Sequence, residues 1–382
     1  MKIFILSMLC SLTLLSGCQQ LQHSQKQQVI QPMNKSEIKS GLEKHNKALF
    51  ILNNWIRDPY IILGPDDYYY LTGTTPEQDD PRQHTDPYND GLGEDSIVGQ
   101  HVRIWRSKDL IDWQYLGAPI GLADSNHQNY TGNPINKNRL WAPELHWMGD
   151  RWAIVFCPSG IATFALAQPG IEIKGPWTFP MNGDFGRKHD PSLFKDGDTW
   201  WVLSGNTQVQ PLNKTLSQYT AKAKRIDPSS SRLAPNGKPI TRIGHEGATI
   251  RKIGNKYVHF GTAWSTDEMR KGSYNLYYST ADKIDGPYGP RQFVGRFLGH
   301  GTPFQTRNGN WWVTAFFNGD VPTISDVNIQ NKDLSETAQT INHRGTTIVP
   351  LDVKVLADGE IYIRAKDPRY AHPGPDEAQV FE

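Results

Sequence analysis

From Trp55 to Arg364 the chain alternates short apolar, aromatic-rich runs with clusters of Gly, Asp, Asn and Pro, the pattern of strands joined by tight turns. One unit recurs. Asp58-Pro59-Tyr60-Ile61-Ile62-Leu63 reaches the turn Gly64-Pro65-Asp66-Asp67 and returns through Tyr68-Tyr69-Tyr70-Leu71-Thr72 to Gly73. Asp190-Pro191-Ser192-Leu193-Phe194 turns at Lys195-Asp196-Gly197-Asp198 and returns to Gly205; Glu246-Gly247-Ala248-Thr249-Ile250 turns at Gly254-Asn255 and returns to Gly261. In each the acid precedes the closing glycine by 15 residues. Leu140 to Phe156 and Gly299 to Ala315 keep the hairpin without an acid at that offset, Glu144 coming two residues late. The five openings, Asp58, Ala142, Asp190, Glu246 and His300, lie 84, 48, 56 and 54 residues apart. Sheet repeats of roughly 40–50 residues are the signature of radial repetition. The expected fold is all-β, a five-bladed β-propeller with a short N-terminal helical segment.

The outer strands are legible too. His101 to Leu110 with Asp112-Trp113 completes the first blade, and Tyr274 to Ser279 with Gly286-Pro287-Tyr288 the fourth; Gly175-Pro176-Trp177 punctuates the second. With 12 Trp, 15 Tyr and 14 Phe, most aromatics must be core between blades, which is the reading for Trp105, Trp113, Trp152, Trp201 and Trp312. Thr75 to Gln100 is an Asp-, Gly- and Pro-rich insertion leaving the first hairpin, placed to cover a site.

Ahead of Trp55 the pattern changes. Lys2, the apolar run Ile3 to Leu15 and the sequence Leu14-Leu15-Ser16-Gly17-Cys18 form a secretory signal too short to span a membrane. Its end resembles a bacterial lipobox, which implies that Cys18 carries a lipid anchor on the outer membrane. The organisation expected is a signal at 1–17, a Gln-rich tether at 18–34, a helical segment at 35–54 capped by Ser36, and the propeller at 55–382. Without the signal the chain is formally neutral, with 39 basic and 39 acidic residues. That gives no electrostatic case for nucleic acid, and leaves the lipid as the contact with a membrane. Cys157 would be the one cysteine inside the folded domain, read as a packed strand residue.

In a propeller the first strand of every blade lines the central channel, so Asp58, Asp190 and Glu246 would meet near one axis. Clustered acids repel, and coexist where a cation or proton-transfer chemistry uses them. Glycoside hydrolysis asks for such a set: a protonated carboxyl for the leaving oxygen and an ionised one for water or carbon, about 6.5–9.5 Å apart for inversion and about 5–5.5 Å for retention.

The order Asp-Pro, Trp-Ala-Pro-Glu, Asp-Pro-Ser-Leu-Phe, Glu-Gly, Gly-His-Gly over residues 55–320 resembles the five-bladed glycosidases of family 43. The wording of Trp55-Ile56-Arg57-Asp58-Pro59-Tyr60-Ile61, of Tyr69-Tyr70-Leu71-Thr72-Gly73-Thr74-Thr75, of Leu140 to Trp147 and of His245-Glu246-Gly247-Ala248 is similar to glycoside hydrolase family 117. That family removes 3,6-anhydro-L-galactose from the non-reducing end of neoagaro-oligosaccharides of red-algal agar. The resemblance implies an inverting exo-hydrolase with Asp58 as general base and Asp190 as the acid that tunes pKa and orientation. The donor is Glu246 by family 43 and His245 by family 117. His300 matches an axial histidine beside a central cation or water, so a structural divalent cation is a candidate while no cofactor is required. Arg57, Thr75, Trp141, Glu144, His189 and Trp264 are the candidates for holding sugar. The family's helix exchanged between two subunits implies a homodimer, but residues 34–54 do not carry its motif. Two alternatives stand: an exo-glycosidase of the same architecture acting on arabinofuranosides, xylosides or carrageenan-derived anhydro-D-galactose, and a surface lipoprotein that binds glycans without cutting them.

Overall fold

The structure, a computed structural model, describes residues 33–85, 96–125, 138–158, 162–181, 189–230, 232–234, 236–268, 271–315 and 346–381. The signal, most of the tether and the central part of the insertion between Thr75 and Gln100 lie outside them.

Five antiparallel sheets follow one another as the repeat implies. The first blade runs Arg57–Leu63, Tyr69–Thr74, His101–Ser107, Trp113–Gly121 from inner to outer strand. The second is Leu140–Trp147, Trp152–Pro158, Thr163–Leu166, with Thr178 bridging Leu166 at its outer edge. The third is Ser192–Asp196, Thr199–Ser204, Gln208–Pro211, Lys224–Arg225, and the fourth Glu246–Ile253, Lys256–Trp264, Tyr274–Ala281, Gln292–Gly295. The fifth takes Pro303–Gln305, Trp311–Ala315 and Thr346–Val355, then borrows its outer strand from the other end of the chain: Leu49–Leu52 pairs antiparallel with Thr346–Val355. This strand closes the ring.

The helical segment expected at 35–54 therefore stops early. The helix is Lys35–Lys44, capped by Asn34 rather than Ser36 through a reciprocal Asn34–Glu37 capping box, and ended by His45 in the left-handed conformation. Leu49-Phe50-Ile51-Leu52 is a continuous apolar run, which suits a strand covered on both faces. The propeller thus starts six residues earlier than Trp55, at Leu49. The helix lies on this same chain's fifth blade, with Ile38 in the cluster around Leu49, Ile51 and Trp312.

Five apolar clusters fill the five seams between blades, and they account for most of the aromatics. Tyr70, Ile104, Trp152 and Phe156 join the first to the second, Phe164, Leu193 and Val202 the second to the third, and Leu203, Ile250 and Tyr257 the third to the fourth. Phe260, Tyr278, Val313 and Val349 join the fourth to the fifth, and Trp312, Ile348, Tyr69 and Trp105 the fifth to the first. Trp113 and Trp201 are half-buried against their clusters. Burial of this kind is the main favourable term in folding, and its cyclic order makes the ring.

Candidate active site

Every blade opens with one residue in the left-handed region: Asp58 (φ 52°), Ala142 (43°), Asp190 (42°), Gly247 (62°) and His300 (54°). Four of these are not glycine, and such conformations persist only where surrounding structure holds them. Their cause is local. In the first, second and fourth blades the strand register slips by one residue here, a β-bulge that bends the inner strand at the channel mouth. At three of the openings the backbone N–H turns away from its own hairpin to a side chain of the preceding blade. Ala142 N donates to Thr74 Oγ1 at 2.7 Å, Gly247 N to Asp190 Oδ2 at 2.8 Å, and His300 N to Thr262 Oγ1 at 2.7 Å.

One expectation is corrected at this point. Glu246 is not the counterpart of Asp58. It pairs with Thr262 as Arg57 pairs with Thr74 and Trp141 with Cys157, one position before the left-handed residue. Five residues separate Leu63 from Tyr69 in the first hairpin but only two separate Ile253 from Lys256 in the fourth, whose arms are each one residue longer. The net change is one residue, so the common spacing of 15 aligned Glu246 with the wrong place. Axis positions are held by Asp58, Ala142, Asp190, Gly247 and His300; the positions just above them by Arg57, Trp141, His189, Glu246 and Gly299.

The charged groups form one connected cluster. Asp58 Oδ1 lies 3.0 Å from His300 Nδ1 and 3.4 Å from Arg57 Nε, while its Oδ2 accepts from Thr74 Oγ1 at 2.7 Å. His300 Nε2 is 3.9 Å from Asp190 Oδ2. His189 Nε2 lies 3.2 Å from Asp190 Oδ2 and 3.4 Å from Glu246 Oε2, and the Tyr274 hydroxyl donates to Glu246 Oε1. Asp58 and Asp190 are buried, whereas His189 is half exposed at the mouth. Beneath them a polar cavity of about 10 Å³, the size of one water, is lined by Asp58, Tyr60, Glu144, Asp190, Gly247 and His300.

These contacts separate the acids. Burial pushes Asp58 up, but the His300 imidazolium, the Arg57 guanidinium and Thr74 overcome it and hold the carboxyl well below the usual range. Glu246 is treated likewise: against burial, His189, His300, Arg57 and Tyr274 bring it down to about 2. Asp190 goes the other way, raised by burial and by Glu246 against the pull of its histidines. Burial lowers His300, yet Asp58 and Asp190 lift it to about 9; His189 is lifted to about 11 by Asp190, by a hydrogen bond to the sulfur of buried Cys157 and by Glu246. At neutral pH two histidinium ions and Arg57 face two carboxylates and one raised acid.

The other expected residues fall in three places. Trp141 and Arg57 stand together at the mouth, the guanidinium 5.8 Å from the indole centroid. Trp264 is buried and tilted against Tyr274 at 4.7 Å between ring centroids, and Glu144 lies inside the channel, bonded to His146 Nε2 at 2.8 Å. Thr75 is buried in the frame, its carbonyl accepting from Gly99 N at 2.8 Å. His245 is kept out of the cluster: its side chain makes no hydrogen bond to an acid among the described residues, its Nε2 is buried without a partner, and burial lowers its pKa. His300 turns both ring nitrogens to carboxylates and so does not fit as a direct ligand of an axial cation in this arrangement. Sequence reasoning missed Tyr274, which sits 28 residues after Glu246 on a different strand of the blade.

Comparison with known proteins places the arrangement. Residues 50–350 match the family described as glycosyl hydrolases family 43. Among solved structures the chain is similar to the GH43 BlXynB protein from Bacillus licheniformis, with TM-score 0.55, 17% identity, and 88% of this chain and 60% of that one covered. It is also similar to an endo-1,4-beta-xylanase from Bacteroides thetaiotaomicron (TM-score 0.53, 18% identity, 82% and 96% covered) and an exo-1,5-alpha-L-arabinanase from a bovine ruminal metagenomic library (TM-score 0.51, 17% identity, 82% and 98% covered). The chain thus spans about 60% of the length of the first of these. No curated protein matches. With more than three quarters of its length matched and a propeller whose channel gathers three acids, the chain belongs to glycosyl hydrolase family 43.

Proposed function

We propose that the protein is an inverting exo-hydrolase that releases 3,6-anhydro-L-galactose from the non-reducing end of neoagaro-oligosaccharides, with Asp58 as base and Glu246 as proton donor. The observation that carries the chemistry is the division of the cluster: a buried Asp58 on the axis with His300 Nδ1 3.0 Å away, and a mouth-side Glu246 with His189 Nε2 3.4 Å away. Asp58 takes a proton from water as that water attacks the anomeric carbon, the glycosidic C–O bond breaks, and the leaving oxygen takes the proton from Glu246. In the free protein that proton resides on His189. Substrate covering the pair excludes water, which favours neutral imidazole and carboxylic acid over the ion pair and so loads the donor. Asp190 orients His189 and His300. The lack of a hydrogen bond between His245 and an acid among the described residues speaks against it as donor. No step is routed through a metal.

The sugar rests on the wording around Asp58, Trp141 and Glu246. A second reading, an arabinofuranosidase or xylosidase, is favoured by the match to family 43 itself. Lipid attachment at Cys18, anchorage in the outer membrane and dimerisation through the N-terminal segment belong to the same proposal. The test is to incubate the soluble domain with neoagarobiose, neoagaro-oligosaccharides, arabino-oligosaccharides and xylo-oligosaccharides, resolving products by mass and the anomer first formed. Release of anhydrogalactose alone supports the first reading; turnover confined to an arabinoside or xyloside moves the substrate; saturable binding without any release sinks the hydrolytic reading.

A further inference from the structure

The C-terminal segment 374–381 is strapped across the fourth blade by buried polar groups that the reaction does not touch. Asp376, 3% exposed, accepts through Oδ2 from Ser265 Oγ at 2.5 Å, Ser273 N at 2.7 Å and Ser273 Oγ at 2.5 Å, and through Oδ1 from Arg296 Nη2 at 2.7 Å. Ala378 N adds a bond to Ser265 O at 2.7 Å. Glu377 Oε2 accepts from Asn275 Nδ2 and Tyr277 OH at 3.1 and 2.8 Å, and Gln379 Oε1 from Arg291 Nε at 3.0 Å.

Ser265 and Ser273 are the two ends of one loop. They close it by Ser265 N donating to Ser273 O at 2.8 Å, and directly inside that closure the paired residues are Trp264 and Tyr274. Tyr274 donates to Glu246. Its ring is boxed in: Trp264 covers one side, and a Cβ at Gly299 would come within 1.9 Å of it on another. Gly272, at φ 80°, leaves the Ser265 hydroxyl room to reach Asp376; a Cβ there would meet it at 2.1 Å. A carboxylate from the end of the chain therefore fixes the base of the loop whose flank holds the mouth-side acid.

We propose that Tyr274 and Asp376 are positioning residues for Glu246, Tyr274 by direct hydrogen bond and Asp376 by clamping Ser265 and Ser273. This rests on the reading of Glu246 as proton donor. A mispositioned donor slows reactions that need the leaving group protonated and spares those with a good leaving group. The experiment measures kcat and KM on neoagarobiose and on 4-nitrophenyl 3,6-anhydro-α-L-galactoside, or on arabinobiose and 4-nitrophenyl α-L-arabinofuranoside where the wild type uses those. Tyr274→Phe is expected to lower kcat on the disaccharide about tenfold, the size of one lost hydrogen bond to a charged group, with KM nearly unchanged and little loss on the aryl glycoside. Asp376→Asn is expected to show the same selective loss, and none beyond it when combined with Tyr274→Phe. Ser273→Ala carries the same comparison if Asp376→Asn does not fold. Equal losses on both substrates, or additive losses in the double variant, overturn the inference. Glu246→Gln is the control: selective loss there without selectivity in the others overturns the positioning role alone, and no selectivity in Glu246→Gln overturns the donor and, with it, this inference.

Discussion

The first and fourth blades open with the same hairpin and the same acid-to-glycine spacing, and they use it differently. Asp58 occupies the left-handed position on the axis, buried between His300, Thr74 and Arg57. Glu246 stands one residue earlier at the mouth, between His189 and Tyr274, and leaves the axis to Gly247. A one-residue change in hairpin register thus puts one carboxyl deep among fixed cations and the other beside an exchangeable proton. Two acids that read alike in sequence acquire the two different environments that acid–base hydrolysis needs.

The sharpest way to break this comparison is to neutralise each acid. Asp58→Asn and Glu246→Gln are each expected to lower kcat on whichever disaccharide the wild type cleaves by about 10²–10⁴, the range for losing a general base or acid, with binding retained in calorimetry. Near-normal turnover in either would dissolve the assignment of that residue.

Next comes the geometry of the axis. Gly247→Ala adds a Cβ 2.7 Å from the His300 ring at a residue whose φ is 62°, so it is expected to cost at least about 1–3 kcal/mol, the scale of a strained residue. Thermal unfolding reads this directly. Ala142→Gly, at the equivalent place in the second blade, is expected to change stability by less than about 1 kcal/mol, since removing the methyl also removes left-handed strain. If both substitutions behave alike, the two openings are not equivalent in the way the register implies.

A smaller effect follows from charge. His300 is raised from 6.5 to about 9 by Asp58 and Asp190. A raised histidine contributes stability that is fully present below its unfolded value and is lost as pH rises through the folded one. Asp58, held low, contributes above its unfolded value near 4 and loses that contribution as pH falls. The pair is therefore expected to favour the fold most between roughly pH 4 and 6.5, with a decline in melting temperature from pH 6.5 to 9 that His300→Gln makes shallower, the remainder coming from His189, raised to about 11. The smallest expected effect is from chelation: with both His300 nitrogens turned to carboxylates, EDTA is expected to leave the rate unchanged.

Much of this was legible because hairpins of alternating apolar residues and Gly-Asp turns are local, and because their repetition implied a ring. Asp58, Asp190 and His300 could be placed on the axis from spacing alone. The position of Glu246 could not, since counting residues does not reveal that a shorter turn and longer arms leave a net shift of one residue. Leu49–Leu52 was hidden for a different reason: its partner Thr346–Val355 is nearly three hundred residues away, and nothing local marks a strand that completes a sheet begun at the other end. Tyr274 and Asp376 were invisible on the same grounds, as their contacts to Glu246 and Ser273 cross strands and the chain end. His189, read as a sugar-binding residue, lies between two acids, a relation that follows from its place beside the left-handed Asp190.

The most direct test of the division between the two acids is the leaving-group dependence of Asp58→Asn against Glu246→Gln. On an aryl glycoside with a good leaving group, Glu246→Gln is expected to recover most of its lost rate while Asp58→Asn stays impaired. Equal impairment of the two variants on that substrate, or recovery of Asp58→Asn instead, would contradict the assignment of base to the axis and donor to the mouth.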